Sequence, residues 1–257
     1  MIEFLEIEGL KIACWINEEG FTKGRRDIVF VHGSGGNHTV WEQQYTALEH
    51  DFNIAAVNLP GHGQSEGKGE ENITSYVEWV RKIADGFSFK RPVIIGHSLG
   101  AAISLKFAII YGNMLSGIVP VGGGIRLPVS SLIMDSFLKD PSPSIALIAK
   151  FSIHKKNRDR FMDSLIEDIS KVHPETIYGD LLSCNRFDIT GEIGTIAVPT
   201  LMICGDDDKM TPPAYSKELT EKIAGAKLSL IKDSGHFVMM ENAEDFNNAL
   251  RDFVNSL

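Results

Sequence analysis

Pro92-Val93-Ile94-Ile95-Gly96-His97-Ser98-Leu99-Gly100-Ala101-Ala102-Ile103-Ser104-Leu105-Lys106 reads as a buried strand that turns sharply into a helix. The run Pro92 to Ile95 is short, apolar and rich in β-branched residues, as expected of a strand covered on both faces. From Ala101 the residues favour helix. A glycine two positions to each side of Ser98 removes the β-carbons that would keep strand and helix apart, so the serine hydroxyl can stand above the sheet edge. The pentapeptide alone says little in a chain holding 24 glycines. Its context, strand before and helix after, gives it weight.

Outward from this turn the same texture repeats. Ile28 to Val31, Asn53 to Val57, Gly117 to Val121, Thr200 to Cys204 and Lys227 to Ile231 are further compact strand-like runs. Helix-length segments alternate with them at Thr39 to Glu49, Ile73 to Gly86, Ala101 to Tyr111, Pro213 to Ala224 and Glu241 to Phe253. Right-handed crossovers then place helices on both faces of one twisted, mostly parallel sheet. Phe4 to Ile7 and Lys11 to Ile16, around Glu8-Gly9, suit an antiparallel hairpin that brings the strands to eight. The expected fold is a three-layer α/β/α sandwich with its site at the carboxyl ends of the strands.

One stretch breaks the alternation. Between Gly122 and Ile196 there is no buried strand, but Phe161, Met162, Leu165, Ile166 and Ile169 recur at helical spacing among Asp163, Glu167 and Asp168. Pro128, Pro141, Pro143 and Pro174 punctuate it. We read residues 1–122 and 196–257 as the core domain and 123–195 as a helical cap. Between Gly123 and Thr195 nine Lys and Arg face ten Asp and Glu, so most of the chain's net charge of -9 belongs to the core.

That acidity disfavours a nucleic-acid partner, which calls for a basic surface. Cys14, Cys184 and Cys204 are too few and too scattered for a disulfide framework or a zinc site. The N-terminus carries Glu3, Glu6 and Glu8 where a signal peptide is basic, and no apolar run approaches a membrane span. A cytoplasmic protein without membrane or nucleic-acid partner is expected; oligomeric state is not legible.

A serine nucleophile needs a base, and the base needs an acid to orient it. His236, in Asp233-Ser234-Gly235-His236, follows the last strand-like run, and Asp206-Asp207-Asp208 follows the run ending at Cys204. All three aspartates lie near the strand end, and backbone position does not choose among them. With Val31-His32-Gly33-Ser34-Gly35-Gly36, Leu59-Pro60-Gly61-His62-Gly63-Gln64-Ser65, Gly96 to Gly100, Val198-Pro199-Thr200 and Gly235-His236 in order, the chain resembles the α/β-hydrolases. The resemblance implies Asp208 as the acid, three residues after Gly205 and four before Pro212. It also implies an oxyanion hole built from the backbone N–H groups of Ser34 and Leu99, and no cofactor. The aspartate cluster finds no matching ligand set elsewhere in the sequence, so no metal is expected. Where the family often has an acid, this chain has Asn58, a difference expected to touch loop geometry.

The resemblance further implies a serine hydrolase that cleaves a small carboxylic ester through an acyl-enzyme. Lactone, thioester or carbon–carbon bond hydrolysis and perhydrolysis are alternatives on the same triad. A small-ligand receptor is the alternative of another class. Met134, Phe137, Leu138, Ile145, Leu147, Ile148 and Phe151 are candidates for an apolar acyl pocket, with core packing as the plainer reading. His32, His62 and His97 are expected to hold loops. Lys155, Lys156, Arg158 and Arg160 are read first as a solvated helix terminus, and second as an attraction for an anionic substrate.

Overall fold

In the computed structural model, which describes residues 1–257, β3 (Asp27–Val31) shows in five residues why the strands read as continuously apolar. Ile28 and Phe30 point into one hydrophobic cluster, and Val29 and Val31 into another on the opposite face. A strand between two cores has no solvent side, so no polar alternation survives.

The eight strands are β1 (Ile2–Ile7), β2 (Leu10–Ile16), β3, β4 (Asn53–Val57), β5 (Val93–His97), β6 (Gly117–Val121), β7 (Leu201–Gly205) and β8 (Lys227–Ile231). They form one sheet in the order β1-β2-β4-β3-β5-β6-β7-β8. β1 and β2 are antiparallel to each other, β2 is antiparallel to β4, and all strands from β4 to β8 run parallel. The sheet is therefore mixed, with a mostly parallel body, and the expected fold class holds.

One face is covered by α2 (Ile73–Gly86) and α3 (Leu99–Tyr111). Sandwiched between sheet and neighbouring helices, α3 is apolar nearly all round, with Ala102, Ile103, Leu105 and Phe107 in the core. The other face is covered by α1 (Glu42–Leu48) and, near the C-terminus, a helix over Ala243–Asn255. That last helix is amphipathic: Phe246, Leu250, Phe253 and Val254 meet the sheet while Glu244 and Asp252 stay in water. Each such side chain contributes roughly 1.5–3 kcal/mol on burial.

Four helices occupy the chain between β6 and β7: α4 (Ser131–Phe137), α5 (Ser142–Ser152), α6 (Arg158–Ser170) and α7 (Pro174–Arg186). Pro143 and Pro174 stand in the first turns of α5 and α7, where a missing N–H costs nothing. Phe161, Leu165 and Ile169 of α6 join the cluster beneath α1, with Met162 and Ile166 half-buried at its rim. A backbone bond from Ile189 N–H to the Ile125 carbonyl at 3.2 Å closes the neck of this segment. The remaining helices are α8 (Pro213–Lys222), the single turn α9 (Val238–Glu241) and α10 (Ala243–Asn255). No helix is long and apolar enough to cross a membrane. All three cysteines are free and buried.

Candidate active site

Ser98 sits between β5 and α3 with φ 54° and ψ -109°. This left-handed backbone is costly for a residue with a β-carbon and is held by its surroundings. Ser98 N–H bonds the Val121 carbonyl at 2.9 Å, and the Ser98 carbonyl accepts from Ala102 N–H at 3.1 Å. The flanking glycines are required by space: a β-carbon on Gly96 would overlap the Gly100 carbonyl, and one on Gly100 would overlap the Val31 carbonyl.

Of the three aspartates, only Asp208 turns inward; it is 4% exposed. Its Oδ1 accepts from the N–H groups of Met210 and Thr211 at 2.8 and 2.9 Å, and its Oδ2 accepts from His236 Nδ1–H at 2.8 Å. Asp206 is exposed, and Asp207 lies 3.5 Å from Lys209 Nζ. Burial pushes the Asp208 carboxyl up, but the facing His236 and the hydrogen bonds from His236 and Thr211 outweigh it and hold it below the ordinary carboxylate range. With Nδ1–H committed to Asp208, His236 has Nε2 left to take up a proton.

Ser98, His236 and Ser34 line one cavity of about 180 Å³. Its walls include Ile133, Phe137, Ile148, Ile177 and Leu181 from the segment between β6 and β7, and Met210, Tyr215 and Phe237 from the rest of the chain. Of the seven pocket candidates, only Phe137 and Ile148 reach this cavity; Met134 and Ile145 are core, and Leu138, Leu147 and Phe151 are largely exposed. Helical spacing identifies an apolar face but not which of two apolar neighbours it meets. A second hollow of about 460 Å³, between α1 and α6, shares Gly33, Ser34, Ile169 and Phe237 with the first.

Leu99 follows Ser98 as the first residue of α3, where a backbone N–H has no partner within the helix. Ser34 lies in a turn closed by Gly36 N–H to the Gly33 carbonyl at 3.1 Å. The histidines read as loop holders do hold loops. His32 Nδ1–H donates to the Gly33 carbonyl at 2.8 Å while its Nε2 accepts from Leu59 N–H at 3.1 Å, and His97 Nε2–H donates to the His236 carbonyl at 3.0 Å. Asn58 takes a similar part: its Oδ1 accepts from His38 N–H at 2.8 Å, and its side chain packs under Gly63. In the basic run Lys156 pairs with Asp233 next to the first turn of α6, in keeping with the plainer reading.

Two site residues escape sequence reasoning. Thr211 Oγ1 lies 2.9 Å from both Asp208 Oδ2 and the Gly122 carbonyl, to either of which it can donate, and 3.1 Å from His236 Nδ1. Glu241 accepts from Gly235 N–H at 2.9 Å, from His154 N–H at 2.9 Å and from Asn157 Nδ2 at 2.8 Å, tying the His236 loop to the α5–α6 connection. Only the adjacency of Thr211 to the Asp208 loop hinted at its place; nothing in the sequence marked Glu241.

This framework of strand, strained serine and helix, followed by a carboxylate–histidine pair at the ends of later strands, is carried by residues 28–243, which match the alpha/beta hydrolase fold family over that whole range. The chain belongs to that family. Among curated relatives, a pimeloyl-[acyl-carrier protein] methyl ester esterase of Vibrio atlanticus is 25% identical over 246 residues, covering 89% of this chain and 94% of the relative. A solved thermophilic esterase is 28% identical with a TM-score of 0.87, covering 100% of this chain and 98% of its own. The enol-lactonase of Burkholderia xenovorans LB400 superposes with a TM-score of 0.91 at 20% identity over 98% of this chain and 100% of its own, a likeness of fold.

Proposed function

We propose that the protein is a serine hydrolase of small carboxylic esters, with Ser98 as nucleophile, His236 as general base and acid, and Asp208 as the orienting carboxylate. The observation that carries this reading is the buried 2.8 Å contact from His236 Nδ1 to Asp208, opening with the strained Ser98 into one small apolar cavity. His236 Nε2 takes the Ser98 proton as Oγ attacks the ester carbonyl, and the N–H groups of Ser34 and Leu99 receive the developing oxyanion. The histidine returns the proton to the departing alkoxide. Water, deprotonated by the same histidine, then releases the acid, and no cofactor takes part.

Residues 123–195 act as the cap that shapes acyl selectivity. The modest cavity, walled by aliphatic and aromatic side chains, suits a short acyl group, and ester hydrolysis is in line with the methyl ester esterase and thermophilic esterase relatives. Three free, buried thiols suit a reducing cytoplasm. The test is labelling by a fluorophosphonate probe, combined with turnover of p-nitrophenyl esters from acetate to octanoate, lactones and acyl thioesters, with Ser98→Ala as control. The expected result is Ser98-dependent labelling and fastest turnover of short esters. Absence of both labelling and ester turnover in the folded wild type would overturn it, and a preference for lactones or thioesters would reassign the substrate.

A further inference from the structure

Asp180 of α7 is completely buried, and its carboxylate takes three donors from three separate parts of the chain. Oδ2 accepts from Gly35 N–H at 3.0 Å and from His62 Nε2–H at 2.9 Å, and Oδ1 accepts from the Tyr76 hydroxyl. His62 Nδ1 also faces an acceptor, the Pro60 carbonyl at 3.0 Å. Both ring nitrogens therefore donate, and His62 is an imidazolium paired with Asp180. Burial works against that charge, but the Asp180 carboxylate outweighs it and raises the His62 pKa.

The bond to Gly35 bears on the chemistry. Gly33-Ser34-Gly35-Gly36 is a turn closed by its Gly36 N–H to Gly33 carbonyl bond, with φ +65° at Gly35 and no positive φ at Ser34. That combination is the type II turn, whose central peptide is flipped relative to type I. Asp180 grips that central peptide by its N–H. A bare glycine turn has little intrinsic preference between the two orientations, and a fixed anionic acceptor supplies one. Ser34, whose own N–H faces the oxyanion in the mechanism above, is the residue immediately before the gripped amide.

We infer that Asp180 is a positioning residue: from the helical segment, it fixes the turn that aims the Ser34 N–H at the reacting carbonyl. The inference rests on the Ser98 mechanism. What matters for it is the placement of an acceptor against Gly35, more than the charge itself. Asp180→Asn keeps an oxygen for Gly35 and loses the charge; Asp180→Glu keeps the charge and displaces the oxygen by a methylene. Asp180→Leu combined with His62→Leu removes the acceptor together with the ion pair, an exchange that buried pairs often tolerate.

The test measures kcat and KM on a short p-nitrophenyl ester, together with affinity for a phenylboronic acid that forms a tetrahedral adduct on Ser98. Asp180→Asn is expected to stay within about 3-fold of wild type, while Asp180→Glu and the double variant lose about 10- to 100-fold in kcat, since a whole oxyanion donor is worth about 10²–10³. KM should move little, and boronate affinity should fall in step with kcat. If the double variant fails to fold, the Asn and Glu pair still decides. Equal kcat in Asn and Glu variants, or a loss in KM alone, overturns the inference while leaving the Ser98 mechanism standing. A wild type that neither labels nor turns over removes the mechanism itself.

Discussion

Asp208→Asn is the sharpest perturbation of the proposed site, because the hydrogen bonds dictate which way the new amide must face. Two backbone N–H groups, from Met210 and Thr211, bond Oδ1, so the carboxamide oxygen stays there to avoid stranding both. Its NH₂ then points at His236 Nδ1, where Oδ2 lies 2.8 Å away in the wild type. The imidazole must accept at Nδ1 and carry its proton on Nε2, so the base that the proposed mechanism requires is lost. The same exchange of tautomer in an unrelated Ser-His-Asp triad lowers kcat by about 10⁴, or about 5.4 kcal/mol of transition-state stabilisation. The fold should survive, at a cost of about 1–2 kcal/mol for one weakened hydrogen bond. Asp206→Asn, on an exposed side chain, should change kcat by no more than about 2-fold. The assay is kcat on a saturating short p-nitrophenyl ester, with circular dichroism and a denaturant titration to certify the fold. Retention of more than a tenth of wild-type kcat by Asp208→Asn, or an equal loss in Asp206→Asn, would refute the assignment.

Two further outcomes follow from the same surroundings. Gly122 has φ +57°, and a β-carbon there would lie 3.1 Å from His236 Cε1 and Nδ1 and 3.2 Å from Asp208 Oδ2. Gly122→Ala should therefore cost about 1–2 kcal/mol in denaturant stability for the left-handed backbone and about 10- to 100-fold in kcat for a displaced pair; unchanged kcat would contradict this. Burial, and then the neighbouring His62 and His236 respectively, holds the pKa values of His32 and His97 well below 6.5. Both are neutral in the fold, so the unfolded chain gains two protons that the folded one refuses as pH falls below about 6.5. Stability should then drop by about 2.7 kcal/mol per pH unit. His62 acts oppositely: its raised pKa adds stability that is present below about 6.5 and lost as pH rises through its folded value. Guanidinium midpoints between pH 7.5 and 5 check this, and a flat profile from 6.5 to 5 would count against it.

How much of this was legible in the sequence depends on the distance over which each residue acts. β4, β6 and β8 fall on the expected residues, and the other strands shift only at their ends. From β3 to β7 a strand between two cores writes its burial into consecutive residues, whereas β8, at the sheet edge, is exposed at Lys227 and Leu230 and buries only Ile231. Ser98 and His236 stood out as candidates because each sits in a local motif at a strand end. Asp208 was not separable from Asp206 and Asp207 by residue type; the side chains differ in direction, which the fold decides. Asp180 was missed because its partners His62 and Gly35 lie 118 and 145 residues away. The one local sign was an acid beside the buried stripe Ile177, Leu181 and Cys184 of α7. Of the acyl-pocket candidates, Phe137 and Ile148 reach the cavity while Met134 and Ile145 follow the plainer reading of core packing, because α4 and α5 carry apolar residues on more than one side and only tertiary packing chooses which of them meets the cavity.

The helical segment is bound to the core through the two loops that matter most. Ser152 O accepts from His236 N–H at 2.7 Å, Glu241 joins the His236 loop to Asn157, and Asp180 holds Gly35. A segment attached in this way is a poor unit of exchange. Transplanting a foreign 123–195 into this scaffold would bring a new pocket lining but strip the histidine loop and the Ser34 turn of their acceptors. New substrate ranges should therefore arise in this lineage through point changes at wall positions such as Phe137, Ile148 and Leu181, which face the cavity and hold neither loop. A recombinant library for altered selectivity is better built by saturating those positions than by shuffling whole helical segments.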